Sequence, residues 1–145
     1  KEYIGNSVYF SFYYENKFAN KFMEYLLALE ENEFPKSFSV VHHSLKKFND
    51  CIKIGLVFGS SIKDNKFNDI DVLLVYEKNK TKEINKIKEK IRNSELIEQP
   101  IRYVDITEKD ILLNKNNKIF YAILSENLIF HNSERYATVI KKCRR

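Results

Sequence analysis

The chain has 145 residues, 43% of them hydrophobic, and a formal charge of +5 from 25 basic and 20 acidic side chains. That length suits one domain, or one with a small appendage, and is enough to bury a real core. No apolar run approaches the ~20 residues of a membrane span, and the start "KEYIGNSVYF" lacks a signal-peptide core, so the chain reads as soluble and cytoplasmic, with no membrane association. The basic excess is mild and dispersed; it permits a phosphate-bearing partner without requiring one. Cys51 and Cys143 fit neither a disulfide framework nor a CxxC metal motif, and read as reduced thiols.

In chain order, "SVYFSFYY" (7–14) is aromatic and β-branched and reads as a strand, with Gly5-Asn6 at or near a hairpin turn. "ENKFANKFMEYLLALEEN" follows, with Phe18, Phe22, Tyr25, Leu26 and Leu29 at helical spacing. Pro35 ends that helix, Ser37 is placed to cap the next, and Val41, Leu45 and Phe48 mark the next helix's apolar face. "CIKIGLVF" and "DIDVLLVY" are apolar strands joined by a loop of about ten residues, too short for a crossover helix, so they pair antiparallel. Ile84, Ile87 and Ile91 define a helix from Thr81, its expected cap, to Asn93. "IRYVDI" is a third strand, opened by Pro100 and able to lie parallel to one of the others. "TEKDILLN" and "NKIFYAILSE" read as short helices and "NLIFH" as a brief strand. "SERYATVIKKCRR" is a closing helix with Ser133 as cap and a basic end that suits the helix dipole. The fold class is α+β: a small mixed β-sheet with helices mainly on one face, preceded by an N-terminal strand and two helices. Residues 1–37 form the N-terminal strand and linker helix, and 38–145 the main domain.

Between the first two apolar strands lies "VFGSSIKDNKFNDIDVLLVY" (57–76), where Asp69 and Asp71 alternate with Ile70 and Val72. Alternation puts the two carboxylates on one side of a strand, where they repel each other unless water or a cation intervenes. Asp105 in "YVDI" joins them if its strand is a neighbour in register. Three converging carboxylates suit Mg²⁺, a hard ion that combines few protein ligands with substrate phosphates. Gly59-Ser60 supplies the other half: a glycine allows close backbone approach, and Ser60 opens a turn whose N–H groups favour phosphate. The bland alternatives are a hairpin with solvated aspartates, and a helix-capping role for Asp105.

The motif Gly-Ser, spacer, Asp-Ile-Asp, with "YVDI" and "NLIFHNSERY" further on, resembles the minimal nucleotidyltransferases of the DNA polymerase β–like superfamily over roughly residues 38 to 142. The resemblance implies transfer of a nucleoside monophosphate, AMP from ATP in the first instance, to a hydroxyl acceptor. It implies Asp69, Asp71 and Asp105 as catalytic metal ligands for two Mg²⁺ ions, Asp105 also assisting deprotonation. Gly59 and Ser60 would contact the nucleotide's triphosphate. Where such proteins commonly carry an Ala-Arg-Gly-like stretch after Gly-Ser, this chain reads Ser61-Ile62-Lys63-Asp64, and Lys63 would replace the missing arginine as a point charge without the guanidinium fork. Relatives of this kind include antitoxins that modify a HEPN-domain toxin on tyrosine, and drug-modifying enzymes. The residues after Ser60 depart from the family pattern, which keeps open a nucleotide- or partner-binding regulatory module with little or no turnover. The N-terminal stretch resembles the wing and linker helix of a winged-helix domain, so DNA is a partner only if such a domain precedes this chain.

His42-His43, on adjacent helical positions, reads as a surface or interfacial pair rather than a metal site, and "KKCRR" as a solvated helix end. The aromatic run at residues 9–14 reads as a packed strand before it reads as a base-stacking platform. Apolar surface on that strand and the first helix also allows a homodimer.

Overall fold

The computed structural model describes residues 2–4, 7–9, 13, 15–63, 67–94 and 96–143. Six strands and six helices are present among them: β1 (Glu2–Ile4), β2 (Ser7–Tyr9), α1 (Lys17–Asn32), α2 (Ser39–Leu45), β3 (Ile54–Phe58), β4 (Ile70–Val75), α3 (Thr81–Arg92), β5 (Ile101–Ile106), α4 (Glu108–Leu113), α5 (Lys118–Ser125), β6 (Asn127–His131) and α6 (Ser133–Cys143). β1 and β2 form an antiparallel hairpin, while Gly5, Asn6 and most of the aromatic run beyond Tyr9 lie outside the described residues.

The main sheet runs β5-β4-β3-β6. β3 pairs antiparallel with β4 and with β6, and β4 pairs parallel with β5 across α3. The expected antiparallel first pair and parallel third strand are both present.

The helices do not keep to one face, which corrects that part of the expectation. On one side Val57, Ile70, Val72, Leu74 and Phe130 pack under Val41, Leu45 and Phe48 around α2, and under Ile84 and Ile91 of α3. On the other, Ile54, Leu56, Leu73, Val75 and Ile129 pack under Ile111 of α4, Tyr136 and Val139 of α6, and Phe120 and Ile123 of α5. β3 and β4 are therefore buried on both faces, the condition that produces unbroken apolar runs such as "VLLV". Cys51 belongs to the first layer and Cys143 to the second, so the sheet itself separates the two thiols. Gly55 makes room for Phe130: a Cβ there would lie 2.2–2.7 Å from three atoms of its ring.

Local capping differs in detail from the sequence expectation. Lys80, not Thr81, sits at the α3 cap, and the Thr81 hydroxyl donates back to the Lys78 carbonyl at 2.7 Å. A short 3-10 turn, Lys36–Phe38, intervenes between Pro35 and α2, so Ser37 does not cap that helix. Ser133 is the first residue of α6, and the cap in front of it is Asn132, whose Oδ1 accepts from the Arg135 N–H at 3.1 Å.

α1 joins the main domain through that same helix end. Glu31 accepts from the N–H groups of Asn132 (2.9 Å) and Ser133 (2.8 Å), and α1 packs along α6 and β6. Burial pushes the Glu31 carboxyl up, but hydrogen bonds from Ser133 and Asn132 outweigh it and leave the group below its usual range. Its stabilising effect is thus full above the ordinary glutamate range and is lost as pH falls through the lowered value. Glu31→Ala is expected to cost about 1–2 kcal/mol near neutral pH, measured as a lower urea midpoint with an unchanged slope. A midpoint equal to that of the natural chain would deny the carboxylate its capping role.

Among the described residues, no helix is long and apolar enough to cross a membrane.

Candidate functional site

β3 ends at Phe58, and the chain turns through Gly59 into a single 3-10 turn, Ser60–Ile62, that packs against both β3 and β4. Gly59 has φ +83° and ψ −155°, a region open essentially to glycine. Its Cα faces Asp71 closely enough that a Cβ would stand 2.5 Å from the Asp71 Oδ2. The register explains this proximity, because Phe58 is the residue opposite Asp71 in the β3–β4 ladder. Ser61, not Ser60, is the buried serine, its hydroxyl donating to the Phe58 carbonyl at 3.3 Å, while Ser60 is exposed. The first N–H groups of such a turn have no partner within it, and the residue that leads into it, Gly59, lies against the Asp71 carboxylate.

Asp71 shares a sheet face with Leu73 and Val75 but sits at the strand's beginning, half-buried. Burial raises its carboxyl above the ordinary range, the neighbouring Asp69 raises it further, and Arg102 partly opposes them. Two carboxylates forced together beside a glycine turn are under-neutralised, and a divalent cation meets that deficit. Asp69, Asp71 and Gly59 therefore fit the protein's share of a Mg²⁺–phosphate site.

Asp105 does not join them. In the β4–β5 ladder Asp71 stands opposite Arg102, and Asp105 opposite Leu74. Paired residues of neighbouring strands share a face, so Asp105 points to the opposite side of the sheet from Asp71. There Asp105 pairs with Lys88 of α3 at 2.5 Å and bonds to Tyr76, while the Lys88 Nζ lies 4.8 Å above the Tyr103 ring. The expectation of three carboxylates on one surface is corrected to two. Among the described residues no group of three or more His, Cys, Asp or Glu side chains is arranged to hold a metal.

Arg102 is the site residue that sequence reasoning missed. Its guanidinium meets the Asp69 Oδ2 at 2.5 Å while the side chain stays largely in solvent. Only the register could have found it, since positions three apart on one strand point opposite ways and the sequence does not say which side faces the aspartates. Lys63 forms an ion pair with Glu126. Glu126 immediately precedes β6, whose Asn127 pairs with Phe58, so Lys63 is held near the end of β3. Residues 64–66 of the loop lie outside the described residues.

The remaining candidates are structural. His42 stacks on Phe34 at 4.3 Å, and burial, then Lys46, lowers its pKa, while His43 is exposed. Protein-family models, curated proteins and solved structures were each compared with this chain, and none matches it.

Proposed function

We propose that the chain binds a nucleoside triphosphate with Mg²⁺ at the Gly59–Asp71 junction, and that its reaction class is nucleotidyl transfer to a hydroxyl, with ATP the first substrate to test. The observation that supports this reading is the close approach of Gly59, which leads a 3-10 turn, to Asp71, whose carboxyl is raised by burial and by Asp69. Bound Mg²⁺ would neutralise phosphate charge in the transition state. Asp69 and Asp71 would hold it, the N–H groups after Gly59 would orient the phosphates, and Arg102, freed from Asp69, would supply a guanidinium to the triphosphate. Lys63, just after the turn and paired with Glu126, would be a second cation for the phosphates.

A second reading follows from one specific observation, the opposite facing of Asp105. With no third carboxylate beside Asp71 among the described residues, acceptor deprotonation falls to a group from the acceptor itself, such as a partner protein. Without that group the site is a regulatory nucleotide-binding module, and any winged-helix domain in front of this chain would make its output a DNA-bound one.

Calorimetry of ATP with and without Mg²⁺ tests the shared premise: binding is expected only with the metal, and equal or absent heats in both would sink it. Asp105→Asn then separates the two roles offered for that residue. It is expected to leave Mg²⁺·ATP affinity within about twofold, because the side chain is on the far face, and to lower thermal stability by about 1–4 °C through loss of the Lys88 pair. Full stability with abolished transfer activity would return Asp105 to the catalytic site.

A further inference from the structure

β5 is an edge of the main sheet, paired with β4 on one side and with no strand on the other among the described residues. Its bonds to β4 fix which main-chain groups are spent. Ile70 donates its N–H to the Pro100 carbonyl and Tyr76 donates to the Ile106 carbonyl, each at 3.0 Å. Alternate residues of a parallel strand bond the same neighbour, so Arg102, Val104 and Ile106 turn their main-chain groups to β4. Ile101, Tyr103 and Asp105 turn theirs outward, where they meet no hydrogen-bond partner among the described residues. Charge does not guard this edge, because Arg102 is drawn to Asp69 and Asp105 to Lys88.

A cavity of about 570 Å³ lies beside the same edge, between a flank of α3 and the start of β5. That volume is in the range that buries a ligand. Its wall is apolar: Ile91 is buried, and Ile97, Ile101 and Tyr103 are half-buried against the core. Its rim is charged. Glu89, Glu98 and Arg92 are exposed there, and among the described residues none of the three has an ion-pair partner. Two unpaired carboxylates against one guanidinium leave the rim short of positive charge.

Ile101 and Tyr103 belong to both features. Their side chains line the cavity, and their N–H and C=O groups open along the edge beside it. A compact ligand fills the cavity and leaves that row of main-chain groups unanswered. An extended polypeptide answers both, since its own N–H and C=O groups repeat at the spacing of the strand and every second side chain faces the cavity.

We propose that β5 and this cavity form a groove for an extended peptide, which adds to the sheet as a fifth strand, seats a bulky apolar side chain in the cavity and offers a basic residue to Glu89 and Glu98. This inference rests on no part of the nucleotide reading.

Amide hydrogen exchange on the whole chain is the first test. In the free protein the N–H groups of Tyr103 and Asp105 are expected to exchange at least ~100-fold faster than those of Arg102 and Val104. Equal protection of all four would show an edge already covered and would overturn the proposal. The probe is then the peptide acetyl-Thr-Lys-Thr-Phe-Thr-Lys-Thr-amide, whose Phe and Lys share one face of a strand, added to about 2 mM. Saturable binding is expected, with slowed exchange at Tyr103 and Asp105. A peptide with Gly in place of Phe is expected to bind at least ~10-fold more weakly. Glu98→Lys, on an exposed loop, is expected to weaken the lysine peptide about 5-fold and to bind a peptide with Glu at both lysine positions more tightly than the natural chain does. No saturation by the highest concentration overturns the proposal, as does binding that leaves those two amides unprotected. Equal affinity for the Gly peptide, or a Glu98→Lys chain with unchanged preference, does the same. N-acetylphenylalaninamide bound as tightly as the peptide would give the cavity to a small molecule instead.

Discussion

Asp69→Asn combined with Asp71→Asn is expected to weaken Mg²⁺·ATP binding at least ~100-fold while making the metal-free protein more stable. The two effects share one cause. In the free protein, burial and the charge of Asp69 hold the Asp71 carboxyl above its unfolded value. An acid whose pKa is raised on folding binds its proton more tightly when folded, so its favourable contribution is complete below the unfolded value and is lost as pH rises through the folded one. At neutral pH the ionised Asp71 therefore opposes folding, and replacing it with an amide relieves the repulsion. Sites of binding commonly carry this conflict between stability and function. A rise in Tm of about 1–3 °C for Asp71→Asn alone, measured without metal, is the expected size of the relief. Mg²⁺ should stabilise the natural chain near pH 7, and that increment should shrink as pH falls through the raised Asp71 value, where protons compete for the same oxygens. If Asp71→Asn lowers Tm instead, the carboxylate is serving the fold, and the metal reading loses its physical basis.

Gly59→Ala is the second large effect, and it should move stability and binding in the same direction. A φ of +83° with ψ near −155° costs a non-glycine residue about 1–3 kcal/mol, equivalent to a Tm loss of about 3–8 °C in a domain of this size. The added Cβ also meets the Asp71 Oδ2 at 2.5 Å. That oxygen ends a rotatable side chain, so the collision is relieved by turning the carboxylate away. The relief is sterically cheap but displaces a proposed metal ligand. A loss of at least ~30-fold in Mg²⁺·ATP affinity is therefore expected by calorimetry, beyond what partial unfolding explains. Unchanged affinity in a folded Gly59→Ala protein would show that Asp71 is not the oxygen that matters.

Much of the architecture was legible in the residues. "IGLVF", "VLLV" and "NLIF" became β3, β4 and β6, and the isoleucines at 84, 87 and 91 marked the buried edge of α3. The Asp69/Asp71 pair and its glycine turn were visible because alternation within a strand is a local property. The helices on the second face were misassigned although a signal was present: the unbroken apolar run Val72-Leu73-Leu74-Val75 calls for cover on both sides of the strand.

Asp105 and Arg102 mark the limit of what a sequence decides. The chain by itself determined that these two residues point to opposite faces of β5, since they stand three positions apart. It also determined that Asp69 and Asp71 share a side and that the apolar residues of α1 repeat with helical spacing. Which of Arg102 and Asp105 reaches the aspartates was settled by the β4–β5 register alone, because a slip of one residue exchanges every side chain between faces. Whether the α1 stripe faced inward was likewise tertiary, fixed when Glu31 and Leu27 engaged α6 and turned Phe18, Phe22 and Tyr25 to the outside. Local geometry is written in neighbouring residues, whereas register and the choice of buried face depend on contacts between segments far apart in the chain.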